Sequence, residues 1–146
     1  MLWLLYLHWV LLHLISCAIW FSFYDIRYHL IRNRDLKVAL ICLAPFVEVS
    51  GLISGISNFI FYLLVFLFSR GAIGFGDVKL SFMLGIYLGN GGFDISKLFL
   101  ANFISWLAAL AAIVLLRSLD RQMKQGRIAF APFLFIGTGI EVVFRS

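Results

Sequence analysis

Two of the seven acidic residues lie beside apolar sequence in a way that suits chemistry. Asp25 directly follows the run 1–24, which contains no Asp, Glu, Lys or Arg, and Asp77 lies in the glycine-containing segment 74–80. Two carboxyl groups that lie close together do not both ionise at low cost, so one keeps a proton. Such a pair suits peptide hydrolysis, because the ionised carboxylate takes a proton from water and the protonated one polarises the scissile carbonyl.

The glycines before Asp77 have a part in the same hypothesis. Gly74 and Gly76 carry no Cβ, so an extended peptide can approach the backbone beside Asp77 and pair with its free groups. The simpler interpretation of one Asp at a membrane edge is an interface anchor. A second acid at matched depth favours a functional site.

Other catalytic arrangements have less support in the sequence. His8 and His13 lie in one apolar run but on different helix faces, and His29 is alone in a polar segment. Patterns typical of zinc proteases, serine hydrolases and phosphate-binding loops are absent. Cys17 and Cys42 both lie in apolar runs and are interpreted as packed thiols. We therefore expect neither a metal nor a cofactor.

The composition places these residues in a membrane protein. Hydrophobic residues make up 63% of the 146-residue chain and charged residues only 13%. Mean hydropathy is +1.02. Such a chain cannot cover its surface with polar groups, which excludes a soluble enzyme, a disordered tail and a disulfide scaffold. The prediction is an all-α polytopic membrane protein forming a single domain over 1–146.

Charge-free apolar runs predict about six transmembrane helices, the fourth of which is short or broken. The run 38–69 is too long for one span, and small and polar residues between 50 and 58 predict a break that makes it a hairpin. The spacing of Gly51 with Gly55, and of Gly85 with Gly89, is typical of close helix contacts. The predicted spans are 1–24, about 35–50, about 54–70, 80–90, 98–116 and 128–144.

The distribution of basic residues predicts the orientation. All but Lys97 and Arg145 of the 12 basic residues fall in three loops, 25–37, 70–79 and 117–127. Because basic loops stay on the cytoplasmic side, both termini are expected outside and both acids at the cytoplasmic edge. The net charge of +5 is explained by these loops and contacts with anionic lipid, so no nucleic-acid partner is expected.

Three segments together resemble the type IV prepilin peptidases, which are membrane aspartyl proteases of the GxGD class. They are Asp25–Asn33, the GFGDVKL segment 74–80, and Ile128–Leu134 with its proline. The resemblance covers nearly the whole chain in order and spacing. It implies that Asp25 and Asp77 are the catalytic pair. The residues that it implies in motif support or substrate binding are Asn33, Gly74, Gly76, Lys79 and Pro132.

The resemblance also implies the reaction and the partners. The expected activity is removal of the basic leader from type IV prepilins or pseudopilins at the cytoplasmic face of the bacterial inner membrane, with the substrate helix and lipid as partners. Nothing matches the methyltransferase insertion of larger relatives, so a short form is expected. Arg32 stands where the family usually has proline, and this departure is expected to loosen the loop.

Two alternatives to a peptidase remain at this stage. The first is a non-enzymatic membrane subunit, such as an ion or proton pathway or an assembly partner. The second is an inactive relative of the peptidases. A proton relay does not require the Gly-x-Gly before Asp77, and this feature favours the peptidase. Presenilin and signal peptide peptidase share similar motifs, but they are longer proteins with more spans.

Overall fold

The structure describes residues 2–69, 73–119 and 129–144, with side chains described over 8–69, 73–118 and 129–144. Six α-helices make up most of these residues. A short 3₁₀ helix, Ala44–Phe46, follows the second of them in this computed structural model. The predicted all-α class and the helix number are confirmed. The helices are α1 Leu2–Tyr28, α2 Asn33–Leu43, α3 Val49–Phe68, α4 Phe75–Gly89, α5 Ile95–Leu119 and α6 Ala131–Phe144.

Three helices are long and apolar enough to cross a membrane, namely α1 over His8–Tyr28, α3 over Val49–Phe68 and α5 over Ile95–Ser118. Their outer faces carry large exposed apolar side chains, such as Leu67 and Leu110, as expected where lipid covers the protein. The chain is therefore a membrane protein. α2, α4 and α6 are shorter, and the predicted short fourth element is an unbroken helix of 15 residues.

The predicted helix boundaries differ from the structure in the first half of the chain. The hairpin break lies at residues 47 and 48, so the predicted break region 50–58 is part of α3. The small and polar residues there do not interrupt the helix, because their face packs against α4. α1 continues past residue 24, and α4 begins at Phe75, before its apolar run.

Glycines allow α3 and α4 to pack with their backbones in contact. A Cβ on Gly85 would lie 2.7 Å from the Gly55 Cα, and a Cβ on Gly89 would lie 2.6 Å from the Ser50 carbonyl oxygen. The predicted close helix contacts are thus confirmed, and they are made between the two glycine pairs. α4 lies at the centre of the bundle, in contact with α2, α3, α5 and α6.

Hydrogen bonds at the far end of α4 hold it in register with the turn before α3. The Asn90 side-chain amide donates to the Phe46 carbonyl at 2.9 Å, and its oxygen accepts from the Glu48 backbone N–H at 3.2 Å. Glu48 also accepts from the Gly91 backbone N–H at 2.7 Å. These contacts leave the first turn of α4 at the opposite end of the bundle, where α1 ends and α6 begins.

Candidate active site

Asp25 lies in the last turn of α1 and points at the start of α6. Asp25 is only 6% exposed. The Oδ2 atom accepts a hydrogen bond from the Ala131 backbone N–H at 2.9 Å, and the Phe130 backbone also donates to the carboxylate. Pro132, the second residue of α6, has no N–H to satisfy and suits the first turn of a helix. The positive end of α6 therefore stabilises negative charge on Asp25.

Asp77 lies in the first turn of α4 in a different environment. The residue is 7% exposed, and its Oδ1 atom is buried with no hydrogen-bond partner in the described part of the chain. The Gly74 backbone donates to the carboxylate. A buried oxygen without a partner destabilises the charged form of a carboxyl group. The environment of Asp77 therefore favours its protonated form.

The two carboxyl groups are brought together at one end of the bundle. Asp25 and Asp77 interact electrostatically, although they are far apart in sequence and lie on different helices. That the two acids act as one catalytic pair stays a prediction. The two groups can take different roles, because the Asp25 carboxylate is bound by a helix N-terminus and the Asp77 carboxyl group is buried without a partner for one oxygen.

A cluster of aromatic side chains near Asp77 was missed by sequence reasoning. Tyr62 is fully buried, interacts electrostatically with Asp77, and lies 6.3 Å from Phe130 and 6.5 Å from Trp106, measured between ring centroids. Trp106 and Phe130 pack edge to face at 5.5 Å. No sequence pattern separates these aromatic residues from the many others in the chain.

A chain of hydrogen bonds holds Tyr62 in place. Its hydroxyl donates to Asn102 at 3.1 Å, Asn102 donates to Asn58 at 2.8 Å, and Asn58 donates to the Ser81 carbonyl at 2.9 Å. Of these side chains, Asn58 and Asn102 line a cavity of about 360 Å³ between α3 and α5. The chain of bonds joins α5, α3 and α4 within one turn of Asp77. The residues lining the cavity are Ser57, Asn58, Phe61, Ile95, Leu98, Phe99, Asn102, Phe103 and Trp106.

Two of the sequence-predicted support residues contact each other. The Lys79 ammonium donates to the Asn33 side-chain oxygen at 2.9 Å and lies 4.7 Å from the centre of the Phe75 ring. The contact joins the first residue of α2 to the first turns of α4. It places both residues beside the site, where they connect the helix that carries Asp77 to its neighbour.

The two motif glycines lie in different surroundings. A Cβ on Gly76 would lie 3.0 Å from the Ile31 Cβ, so this glycine makes room for the loop after α1. A Cβ on Gly74 would meet only Asp77 Oδ2 at 3.4 Å and the Gly76 nitrogen at 4.0 Å. Of the two, Gly74 has the more open backbone for a peptide, while the Gly76 face is occupied by the chain's own Ile31.

Within the described ranges, no three His, Cys, Asp or Glu side chains cluster as metal ligands would. His13 instead hydrogen-bonds Tyr87 and so joins α1 to α4. The expectation of no cofactor stays a prediction. Parts of the predicted basic loops and of the third motif, at 70–72 and 120–128, lie outside the described residues.

The fold and the site define a helical membrane protein with two buried carboxyl groups at one end of its bundle. Comparison with known families matches residues 12–119 to the type IV leader peptidase family. The match covers well over half of the chain, and the chain belongs to this family. It includes Asp25 and Asp77 but ends before α6, so the contact with Ala131 is known from the structure alone. The searches among curated proteins and solved structures gave no match.

Proposed function

We propose that the chain is a membrane-embedded aspartyl endopeptidase that removes the basic leader from type IV prepilins or pseudopilins. The observation that carries the proposal is the burial of Asp25 and Asp77 at the same end of a helical bundle, within electrostatic range of each other and with different partners. Membership of the type IV leader peptidase family supports the substrate class.

The surroundings of the acids support distinct roles. Asp25, held by the N-terminus of α6, is the ionised base, and Asp77 is the acid that keeps a proton. Asp25 takes a proton from water, whose oxygen adds to the scissile carbonyl carbon, while Asp77 donates its proton to the carbonyl oxygen. The C–N bond then breaks, the amine takes the proton from Asp25, and the collapsing diol returns a proton to Asp77.

The proposed location is the cytoplasmic side of the inner membrane. Arg27 and Arg117 lie in the last turns of α1 and α5, at the end of the bundle that holds the acids, whereas Lys97 lies near the start of α5. This asymmetry supports a cytoplasmic site with both termini outside. A membrane-impermeant thiol reagent should label the Arg34→Cys variant only from the cytoplasm, once Cys17 and Cys42 are replaced. Labelling from outside would contradict the orientation.

Co-expression with candidate prepilins tests the activity directly. The wild-type chain should convert the precursor to the shorter form, and Asp25→Asn and Asp77→Asn should each abolish conversion while the protein still inserts. Asp94→Asn is a matched control, because Asp94 is a similar acid whose carboxylate caps the start of α5 and lies 3.9 Å from the Lys97 ammonium. Conversion of a precursor by Asp25→Asn or Asp77→Asn would contradict the proposal. Failure of the wild-type chain to convert any of the precursors would contradict it as well.

A further inference from the structure

The segment between α1 and α2 touches the surroundings of both acids. His29 ends α1 by donating its backbone N–H to the Asp25 carbonyl at 2.8 Å, and its φ of 48° lies in the left-handed region. Ile31 fills the space that Gly76 leaves beside Asp77, and Asn33 accepts from Lys79. The segment 29–33 is thus the direct physical connection between the end of the Asp25 helix and the start of the Asp77 helix.

Arg32 fastens this segment to the outer face of α1 through contacts that we call the Arg32 clamp, formed by Trp20, Tyr24, Arg32 and Asp35. The Arg32 Nε and Nη2 atoms lie 2.9 Å and 2.7 Å from Asp35 Oδ2. The guanidinium carbon lies 4.3 Å from the centre of the Tyr24 ring. The Trp20 indole also donates to Asp35 Oδ2, at 2.9 Å. Three donors therefore converge on one carboxylate.

These contacts are arranged for geometry more than for stability. The Arg32 and Asp35 side chains are 35% and 13% exposed, and a single ion pair that solvent reaches contributes modestly to stability, because solvent screens it and the Arg side chain loses freedom. A planar guanidinium that both stacks on a ring and binds a carboxylate holds its own side chain, and the backbone that carries it, in one orientation. The backbone of Arg32 has φ −73° and ψ 127°, which lies in the narrow φ range that a proline ring would impose.

The clamp remains ionised under ordinary assay conditions. Asp35 lies outside the three spanning helices, and hydrogen bonds from Trp20 and then from Arg32 hold its pKa below the usual value. A depressed pKa keeps the carboxylate charged above about pH 4, the ordinary range of Asp. A change of activity between about pH 5 and pH 8 is therefore caused by the titration of groups other than the Asp35 carboxylate.

We propose that Arg32 is a positioning residue for the hydrolysis: by clamping the segment 29–33 to Trp20, Tyr24 and Asp35, it sets the placement of Asp77 relative to Asp25. The inference rests on the proposed function. If Arg32 served only as a cation that binds lipid headgroups, any residue with the same charge could replace it. A positioning residue needs its guanidinium geometry or a substitute that restricts the same backbone.

Purified full-length protein in lipid nanodiscs, assayed with a cleaved prepilin, separates these roles. Arg32→Ala should lower kcat about tenfold or more, since small misplacements of reacting groups are costly, with KM within about twofold of wild type. Arg32→Pro should recover most of kcat without any charge, and Arg32→Lys should stay low although the charge is kept. Asp35→Asn should resemble Arg32→Ala.

Arg34→Ala is the matched control, because Arg34 has an 85% exposed side chain and lies 3.9 Å from Asp35. It should keep wild-type kcat. Wild-type kcat in Arg32→Ala, equal losses in Arg32→Pro and Arg32→Ala, recovery by Arg32→Lys alone, or an equal loss in Arg34→Ala would each overturn the inference.

A readout that does not need activity keeps the inference separate from the proposed function. Amide hydrogen exchange over 29–36 should be faster in Arg32→Ala than in wild type and close to wild type in Arg32→Pro. Unchanged exchange in Arg32→Ala would overturn the inference even if the enzyme cleaves prepilins. A wild-type chain that cleaves no prepilin would instead contradict the proposed function, whatever the exchange result.

Discussion

The Asp25 carboxylate accepts the Ala131 backbone N–H at 2.9 Å, across 106 residues of sequence. One carboxylate thereby serves both as a candidate base and as the group that satisfies the first N–H of α6. Helix N-termini leave such N–H groups without intrahelical partners, and a charged acceptor there is stabilising. The docking of α6 and the ionisation of Asp25 are therefore linked.

This link predicts that two substitutions of Asp25 differ in stability but not in activity. Asp25→Ala removes the acceptor and should lower the free energy of unfolding by about 1 kcal/mol, as the loss of a helix cap does. Asp25→Asn keeps a side-chain oxygen for Ala131 and should lose less. Neither variant should cleave a prepilin. Thermal unfolding in detergent measures the difference, and equal stability of the two variants would contradict the capping role.

The paired action of the acids predicts strong non-additivity. The double variant Asp25→Asn, Asp77→Asn should be no slower than either single variant, because each single change already removes the function of the pair. Single-turnover cleavage of a prepilin measures the residual rates. If the double variant were slower by the product of the two single effects, the acids would act independently and the proposed mechanism would be wrong.

The contact of Gly76 with Ile31 predicts a steric effect on activity. In Gly76→Ala the added Cβ would lie 3.0 Å from the Ile31 Cβ, which pushes the loop away from α4. Overpacking costs about 1–3 kcal/mol, and the better helix propensity of alanine offsets about 1 kcal/mol of this. The free energy of unfolding should fall by no more than about 2 kcal/mol, while kcat falls.

Combining Gly76→Ala with Ile31→Ala tests that explanation, since the smaller side chain makes room for the new methyl group. The pair should recover part of the lost kcat. If Gly76→Ala is inactive in both backgrounds, the glycine is needed for something other than its fit to Ile31, such as the approach of substrate.

Backbone contact between α3 and α4 predicts a large effect at Gly85 and a small one at Gly139. A Cβ on Gly85 would lie 2.7 Å from both the Gly55 Cα and the Ser54 carbonyl oxygen, so Gly85→Ala must separate two helices. Its stability should fall by about 1–3 kcal/mol. Gly139 has nothing within 4 Å of its Cβ position, and Gly139→Ala should gain up to about 1 kcal/mol from helix propensity. Unfolding temperatures of the two variants measure the contrast.

Several features of the structure were predictable from local pattern. Long apolar runs indicated membrane helices because a buried span must be apolar along its length, and the glycine spacings indicated close packing because only small residues let backbones touch. The same runs predicted that Asp25 and Asp77 lie near helix ends, and they lie in the last turn of α1 and the first turn of α4. The break inside 38–69 was misplaced, because burial of Ser54 and Asn58 against α4 outweighs the weak helix propensity of such residues.

The class of protein, the two candidate acids and the glycine spacings typical of close helix contacts could be predicted before the fold was known, since all of these depend on residue type and local spacing. Three contacts are visible only in the folded chain: Asp25 caps the first N–H of α6 at Ala131, Ile31 fills the space at Gly76, and Arg32 binds Asp35 over the Tyr24 ring. These contacts depend on how helix ends meet in space, which the composition and periodicity of any one helix do not encode.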